Sequence, residues 1–166
     1  HQMWAAQYYP FKHQHQLITS GGLGTMGFGL PAAIGAKLAA PDKPVVLFIG
    51  DGGIQMTSEE LEVIATYDLD IKIVLLNNHT LGMVRQWQDL FYDQRRSQTM
   101  FEHQPNFMKL AEAYGLAAHH LTDPQTVAAD LAKAFAAPHA ALIEVAIPAL
   151  EPVMPMIAPG SANNEM

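Results

Sequence analysis

The chain has 166 residues, enough for one domain to bury its own core, and 49% of them are apolar, which excludes an intrinsically disordered segment. Lys and Arg number 9 against 16 Asp and Glu, a net charge of −7 with no basic patch, so a nucleic-acid backbone is not an expected partner. Cysteine is absent, which removes disulfides, thiolate nucleophiles and Cys-type zinc sites, and suits a cytoplasmic protein.

No apolar run reaches membrane-spanning length, so no membrane partner is expected. The N-terminus, His1-Gln2-Met3-Trp4, lacks a basic-then-apolar signal design and does not begin with Met, so the chain reads as a piece of a longer protein. Residues 1–16, "HQMWAAQYYPFKHQHQ", are polar and aromatic. Their histidines make a poor metal site, because no carboxylate is interleaved and Pro10 breaks any helix. Leu17–Ser20 is predicted as a short strand. Phe28–Ala39 has helical composition, with Pro31 tolerable in the first turn.

Val45–Ile49 is a continuous apolar run rich in β-branched residues, as expected of a strand covered on both faces. Thr57-Ser58-Glu59-Glu60 fits a capping box, with Thr57 as N-cap and Glu60 at the third helical position, followed by Leu61, Ile64 and Ala65 at helical spacing. Ile71–Leu76 is a second buried-strand run. Leu81–Tyr92 reads as a helix with Met83, Trp87 and Leu90 on one face, where plain helix core competes with a functional role. Asn106–Tyr114 is a helix that Gly115 ends, and Leu116–His120 a short strand. Asp123-Pro124 opens a helix running to Ala136, and Ala141–Ile147 is the last strand. From Pro148 to residue 166, four prolines and a glycine predict an irregular surface arm. Strand and helix alternate without repeat or linker. The expectation is a single α/β domain over 1–166: a doubly wound, mostly parallel sheet with helices on both faces.

One segment concentrates the chemistry. Asp51 follows the first buried strand, Asn78 follows the second, and 27 positions separate them. That length suits one strand–helix–strand crossover, which brings two strand ends to the same sheet edge. Open α/β sheets bind ligands outside those carboxyl ends. An aspartate and an amide oxygen, with no cysteine or carboxylate-flanked histidine, suit Mg²⁺ or Ca²⁺ rather than zinc. Gly50, Gly52 and Gly53 let backbone approach a ligand and adopt positive φ. The helix expected near Thr57 aims its positive end at the same place. The segment is therefore predicted to hold a diphosphate through a metal, against the possibility that "DGG" and "NN" are ordinary turns. His79 reads as an exposed loop residue.

Gly22-x-Gly24-x-x-Gly27 matches the dinucleotide fingerprint literally, but Asp42, 18 positions after Gly24, sits in the turn "APDKP" rather than at a strand end. NAD binding is a minor possibility.

"GDG" at 50–52 followed by "NN" at 77–78 resembles the thiamine diphosphate enzyme motif. With "HQMWAAQYY", "LITSGGLGTMGFGLPAAIGA" and "NNHTLGMVRQWQDLFY", the whole chain down to "PMIAPG" resembles the C-terminal domain of acetohydroxyacid synthase (acetolactate synthase) catalytic subunits, in the biosynthetic form. The resemblance implies a thiamine diphosphate-binding fold. It implies that Asp51, Asn78 and a backbone oxygen of Thr80 bind Mg²⁺, and that His1, Gln2, Gly50, Gly52, Gly53, Leu81 and Gly82 surround the diphosphate. Gly24 and Met26 would meet the aminopyrimidine, with the Met26 carbonyl accepting from its amino group. Met83 would pack beneath the cofactor, and Trp87 would shape the pocket of the second substrate and the herbicide site. Gly53 departs from the many relatives that carry Ser there, which implies that backbone N–H alone meets the phosphate.

The implied reaction decarboxylates pyruvate and joins it to pyruvate or 2-ketobutyrate, in branched-chain amino acid biosynthesis. The activating glutamate and the FAD site are expected in domains outside this chain. Glu59, Glu60 and Glu62 fit a helix's first turns and are not replacements, so no catalytic residue is assigned and the isolated chain is expected to be inactive. A homodimer or larger assembly is implied, with a small regulatory subunit as a further partner. Two different functions compete with this one: another thiamine diphosphate decarboxylase or carboligase, which would lack "GMVRQWQ", and a non-catalytic assembly domain.

Overall fold

The computed structural model describes residues 1–158, 160–162 and 164. Four strands form one parallel sheet: β1 (Val45–Gly50), β2 (Ile71–Asn77), β3 (Ala117–Leu121) and β4 (Ala141–Ala146), in the order β1-β2-β4-β3. Seven α-helices are assigned among the described residues: α1 (Gln2–Tyr8), α2 (Gly29–Ala39), α3 (Asp51–Ile54), α4 (Leu61–Thr66), α5 (Gly82–Phe91), α6 (Phe107–Ala113) and α7 (Val127–Ala136).

The two-residue period of the strands sorts side chains onto two faces. On one face Leu47, Ile49, Ile71, Ile73, Leu75 and Leu142 join Leu30 and Ile34 of α2, Leu61 and Ile64 of α4, and Phe107 and Ala111 of α6 in the main core. On the other, Val74, Ala141, Ile143 and Leu121 pack against Ala134 of α7. Past α1, Tyr9 meets Phe48 edge-on at 6.4 Å. Helices thus cover both faces, and the doubly wound α/β expectation holds. Each fully buried Leu or Ile contributes about 1.5–3 kcal/mol.

Several local expectations need correction. Leu17–Ser20 forms no strand, and Leu17 and Ile18 are exposed. Pro10 does not prevent an N-terminal helix, because α1 is complete before it. The capping box is not made. Thr57 Oγ1 donates to Gly27 O at 3.0 Å, so its hydroxyl is engaged elsewhere, and Ser58–Glu60 is a 3-10 turn ahead of α4. Asp123 caps only a turn, its Oδ1 accepting from Gln125 N at 2.8 Å, and α7 begins at Val127. Asn106 does cap α6, accepting from Lys109 N at 2.9 Å, and Gly115 ends that helix with φ +74°.

Candidate metal and cofactor site

Gly50 pairs with Leu76 in register, so Asp51 and Asn78 leave neighbouring strands at the same carboxyl edge. The helix terminus at this edge is not the one expected near Thr57. It is the single turn α3, which starts at Asp51 itself. Asp51 is 2% exposed. Its Oδ1 accepts from Gly52 N at 3.0 Å and its Oδ2 from Gln104 Nε2 at 2.5 Å. Burial pushes the Asp51 carboxyl above the ordinary carboxylate range, against these two hydrogen bonds and the charge of His79, which pull it down. No arginine or lysine is among these partners.

The three glycines serve close approach rather than unusual backbone conformation, since none of them has positive φ. A Cβ on Gly52 would lie 2.8 Å from Leu81 Cδ2, 3.2 Å from Met26 Cε and 3.4 Å from Phe101 Cζ. A Cβ on Gly50 would lie 2.8 Å from His1 Nδ1, and one on Gly82 would lie 2.9 Å from Asn78 Nδ2. Four separate segments therefore converge on one cradle that side chains would fill. Gly53 is buried under Ile49.

Thr80 is buried and its Oγ1 donates to Thr99 O at 2.7 Å. Thr80 and Met100 form an antiparallel bridge whose hydrogen bonds run through the flanking residues, from Leu81 N to Thr99 O and from Phe101 N to His79 O. The backbone carbonyl of Thr80 is thus not used by the bridge. His79 is exposed, as expected, at φ +55°.

Gly24 has φ +62° in a turn that starts at Ser20, whose Oγ accepts from Thr25 N at 3.0 Å. Gln2 Nε2 donates to Thr19 Oγ1 at 2.8 Å. Met83 and Trp87 are 47% and 40% exposed, so plain helix core is excluded for both. With Val84, Gln88, Tyr92 and Arg95 they line an open groove of about 720 Å³. The glycine fingerprint at 22–27 follows no strand, and Asp42 lies in a turn. Two neighbours have no signal in the sequence: Phe101 against Gly52 and Gln104 on Asp51. The bridge between Thr80 and Met100, with the hydrogen bonds of Thr99 to Thr80 and Gln88, holds their segment over the site.

The donor chemistry fits a hard dication. A buried carboxylate without a cationic partner is costly, and an oxygen-bound ion relieves that cost. Among the described residues no group of three or more His, Asp or Glu could hold a metal. A site here would have one charged ligand and neutral oxygens, leaving positions for phosphate oxygens, as Mg²⁺ prefers. A glycine cradle beside it admits a diphosphate.

Residues 1–145 match the model of the thiamine pyrophosphate enzymes' C-terminal TPP-binding domain. The chain belongs to that family. It is 58% identical, over its full 166 residues, to the acetolactate synthase large subunit of Lactococcus lactis, covering 29% of that protein. It is 48% identical to the isozyme 1 large subunit of Escherichia coli K12, covering 30%, and 47% identical to the large subunit of Porphyra purpurea, covering 28%. The chain thus spans less than a third of the curated relatives it matches. No described helix is long and apolar enough to cross a membrane.

Proposed function

We propose that this thiamine pyrophosphate-binding domain is the cofactor grip of an acetolactate synthase large subunit in the cytoplasm. In this reading Asp51, the Asn78 side chain and the Thr80 carbonyl hold Mg²⁺, which clamps the diphosphate. His1, Gln2, Gly50, Gly52, Gly53, Leu81 and Gly82 line that end, and Gly24 and Met26 meet the aminopyrimidine. Met83 supports the cofactor from below, and Trp87 shapes the pocket for the second 2-keto acid. The observation that carries the reading is Asp51, a carboxylate 2% exposed with no arginine or lysine bonded to it, at a sheet edge where glycines leave room that a Cβ would crowd.

When bound, thiamine diphosphate supplies the electron sink for decarboxylating pyruvate and joining it to pyruvate or 2-ketobutyrate. The chain's own residues bind and orient. Burial around Asp51 excludes water from the metal side, and the groove along α5 gives the acceptor an apolar wall. We assign no proton transfer to a residue of this chain. The activating glutamate, FAD, the partner protomer and a small regulatory subunit belong to the full assembly, so the 166 residues alone are expected to bind cofactor weakly and make no acetolactate.

Calorimetric titration of thiamine diphosphate into the full-length enzyme, with and without Mg²⁺, tests this. Binding should require the metal, and Asp51→Ala should weaken it by about 100-fold or more, the loss of the carboxylate ligand. Equal binding by Asp51→Ala would sink the metal assignment.

A further inference from the structure

On the face of the sheet that carries the main core, three strands place a polar side chain toward the carboxyl end, after apolar ones. β2 reads Ile71, Ile73, Leu75, then Asn77; β4 reads Leu142, then Glu144; β3 reads Ala118, then His120. These polar ends meet. Asn77 Nδ2 donates to Glu144 Oε1 at 2.6 Å, and Glu144 Oε2 lies 3.0 Å from His120 Nδ1. Asn77 and Glu144 are both buried. On its other side Asn77 Oδ1 accepts from His79 N at 3.1 Å, and its backbone carbonyl accepts from Ile147 N at 2.9 Å.

Asn77 therefore bridges a carboxylate, which only accepts, and a peptide N–H, which only donates. Its amide can satisfy both in one orientation alone. The N–H it receives belongs to His79, whose φ of +55° is unfavourable for a residue with a Cβ and persists only if its surroundings hold it. His79 stands between Asn78 and Thr80. Without an acceptor on Glu144 the Asn77 amide is free to turn over, the bond to His79 N is lost, and the turn relaxes.

We propose that Glu144 is a positioning residue for the metal-binding turn, acting through Asn77 to hold the Asn78 and Thr80 oxygens in place. The proposal rests on the reading that these two residues ligate Mg²⁺. Glu144 itself touches neither metal nor cofactor; His120 holds its second oxygen.

The test is the Mg²⁺ concentration that half-saturates thiamine diphosphate binding, read by protein fluorescence on the full-length enzyme. Glu144→Ala and Asn77→Ala should each raise it about tenfold or more, the scale seen when a partner behind a metal ligand is lost. Glu144→Gln keeps an acceptor for Asn77 and a polar group for His120, and should return it to within about threefold. The double variant Asn77→Ala/Glu144→Ala should be no worse than either single one, because both lie on one chain of contacts. A wild-type value for Asn77→Ala or Glu144→Ala overturns the proposal. So does a Gln variant as damaged as Ala, or a double variant whose effects multiply. If Glu144→Ala does not fold, Asn77→Ala and Glu144→Gln still decide. Binding by the unaltered enzyme that ignores Mg²⁺, or is unchanged in Asp51→Ala, overturns the underlying reading instead.

Discussion

The parallel sheet and helix α5 are built on opposite rules. In the sheet, the buried side chains are mainly apolar, and Ile71, Ile73 and Leu75 are fully buried. In α5 the two buried residues are Arg85 and Gln86, each 3% exposed, while Met83, Val84, Trp87, Leu90 and Phe91 face outward. Polar anchors hold this helix. Arg85 Nη1 donates to Asp89 Oδ2 at 2.9 Å and Nη2 to Glu151 O at 3.1 Å. Gln86 exchanges two hydrogen bonds with the backbone of Val153, at 2.9 and 2.8 Å. Burial of apolar surface stabilises the sheet. Anchoring α5 through polar groups leaves its apolar face open beside the glycine cradle, where an exposed patch of this kind marks a binding surface.

If that contrast is right, truncations in the two regions should differ in size and kind. The largest effect is expected from Leu75→Ala. It should cost about 2–5 kcal/mol in urea unfolding of the chain, without changing proteolysis of the 151–156 segment. Arg85→Ala comes next. Losing its hydrogen bonds to a carboxylate and a carbonyl should cost about 1–3 kcal/mol, and cleavage within 151–156 should rise as the anchor is lost. Unchanged cleavage would mean that the tail does not depend on α5.

A pH difference should follow as a smaller effect. A hydrogen bond from Arg96, with a further one from Arg85, holds the Asp89 carboxyl below the ordinary carboxylate range despite desolvation. The stabilisation is present above the unfolded carboxylate pKa of about 3.9 and is lost as pH falls through the lower folded value. Hydrogen exchange in acid should therefore show α5 losing protection while β2 keeps it. Simultaneous loss would contradict separate support for the two regions. The smallest effect is expected from Trp87→Ala. The residue is exposed and makes one edge-on contact with Phe91 at 5.8 Å. Its removal should change unfolding by under about 1 kcal/mol, yet alter the groove between Met83 and Tyr92. A loss as large as that of Leu75→Ala would make Trp87 a core residue after all.

The strands at 45–49 and 71–76 were legible in the sequence because a strand covered on both faces needs a mainly apolar, β-branched run, and both have one, the second broken only by Lys72. The placement of Asp51 and Asn78 at one sheet edge was legible for a related reason: each lies one residue past such a run, one crossover apart. The helix capping signals failed where a hydroxyl or carboxylate had a competing partner, as Thr57 has in Gly27 O. The orientation of α5 was not legible at all. Periodicity identifies its apolar face but does not say whether that face is buried, and here the tail's backbone draws Arg85 and Gln86 inward. Gln104 and Phe101 lie some fifty residues after Asp51, and their segment is tied in by the bridge at Thr80 and by hydrogen bonds of Thr99 with Gln88 and of Gln104 with Asp51, none of which has a local sequence signal.

By itself, the sequence determines the α/β class, the strand ends that carry Asp51 and Asn78, and the family motif around them, since these depend on local pattern and on the length of one crossover. The tertiary structure decides which groups meet at that edge. It crowds Gly50, Gly52 and Gly82 through the approach of the His1, Leu81 and Asn78 side chains, sets Gln104 on Asp51, and runs the Glu144–Asn77–His79 connection across the sheet. The physical reason is range. Periodicity and turn chemistry act over a few residues, whereas each of these contacts except those within the Asn77–Gly82 turn joins segments that only strand pairing and core packing bring together.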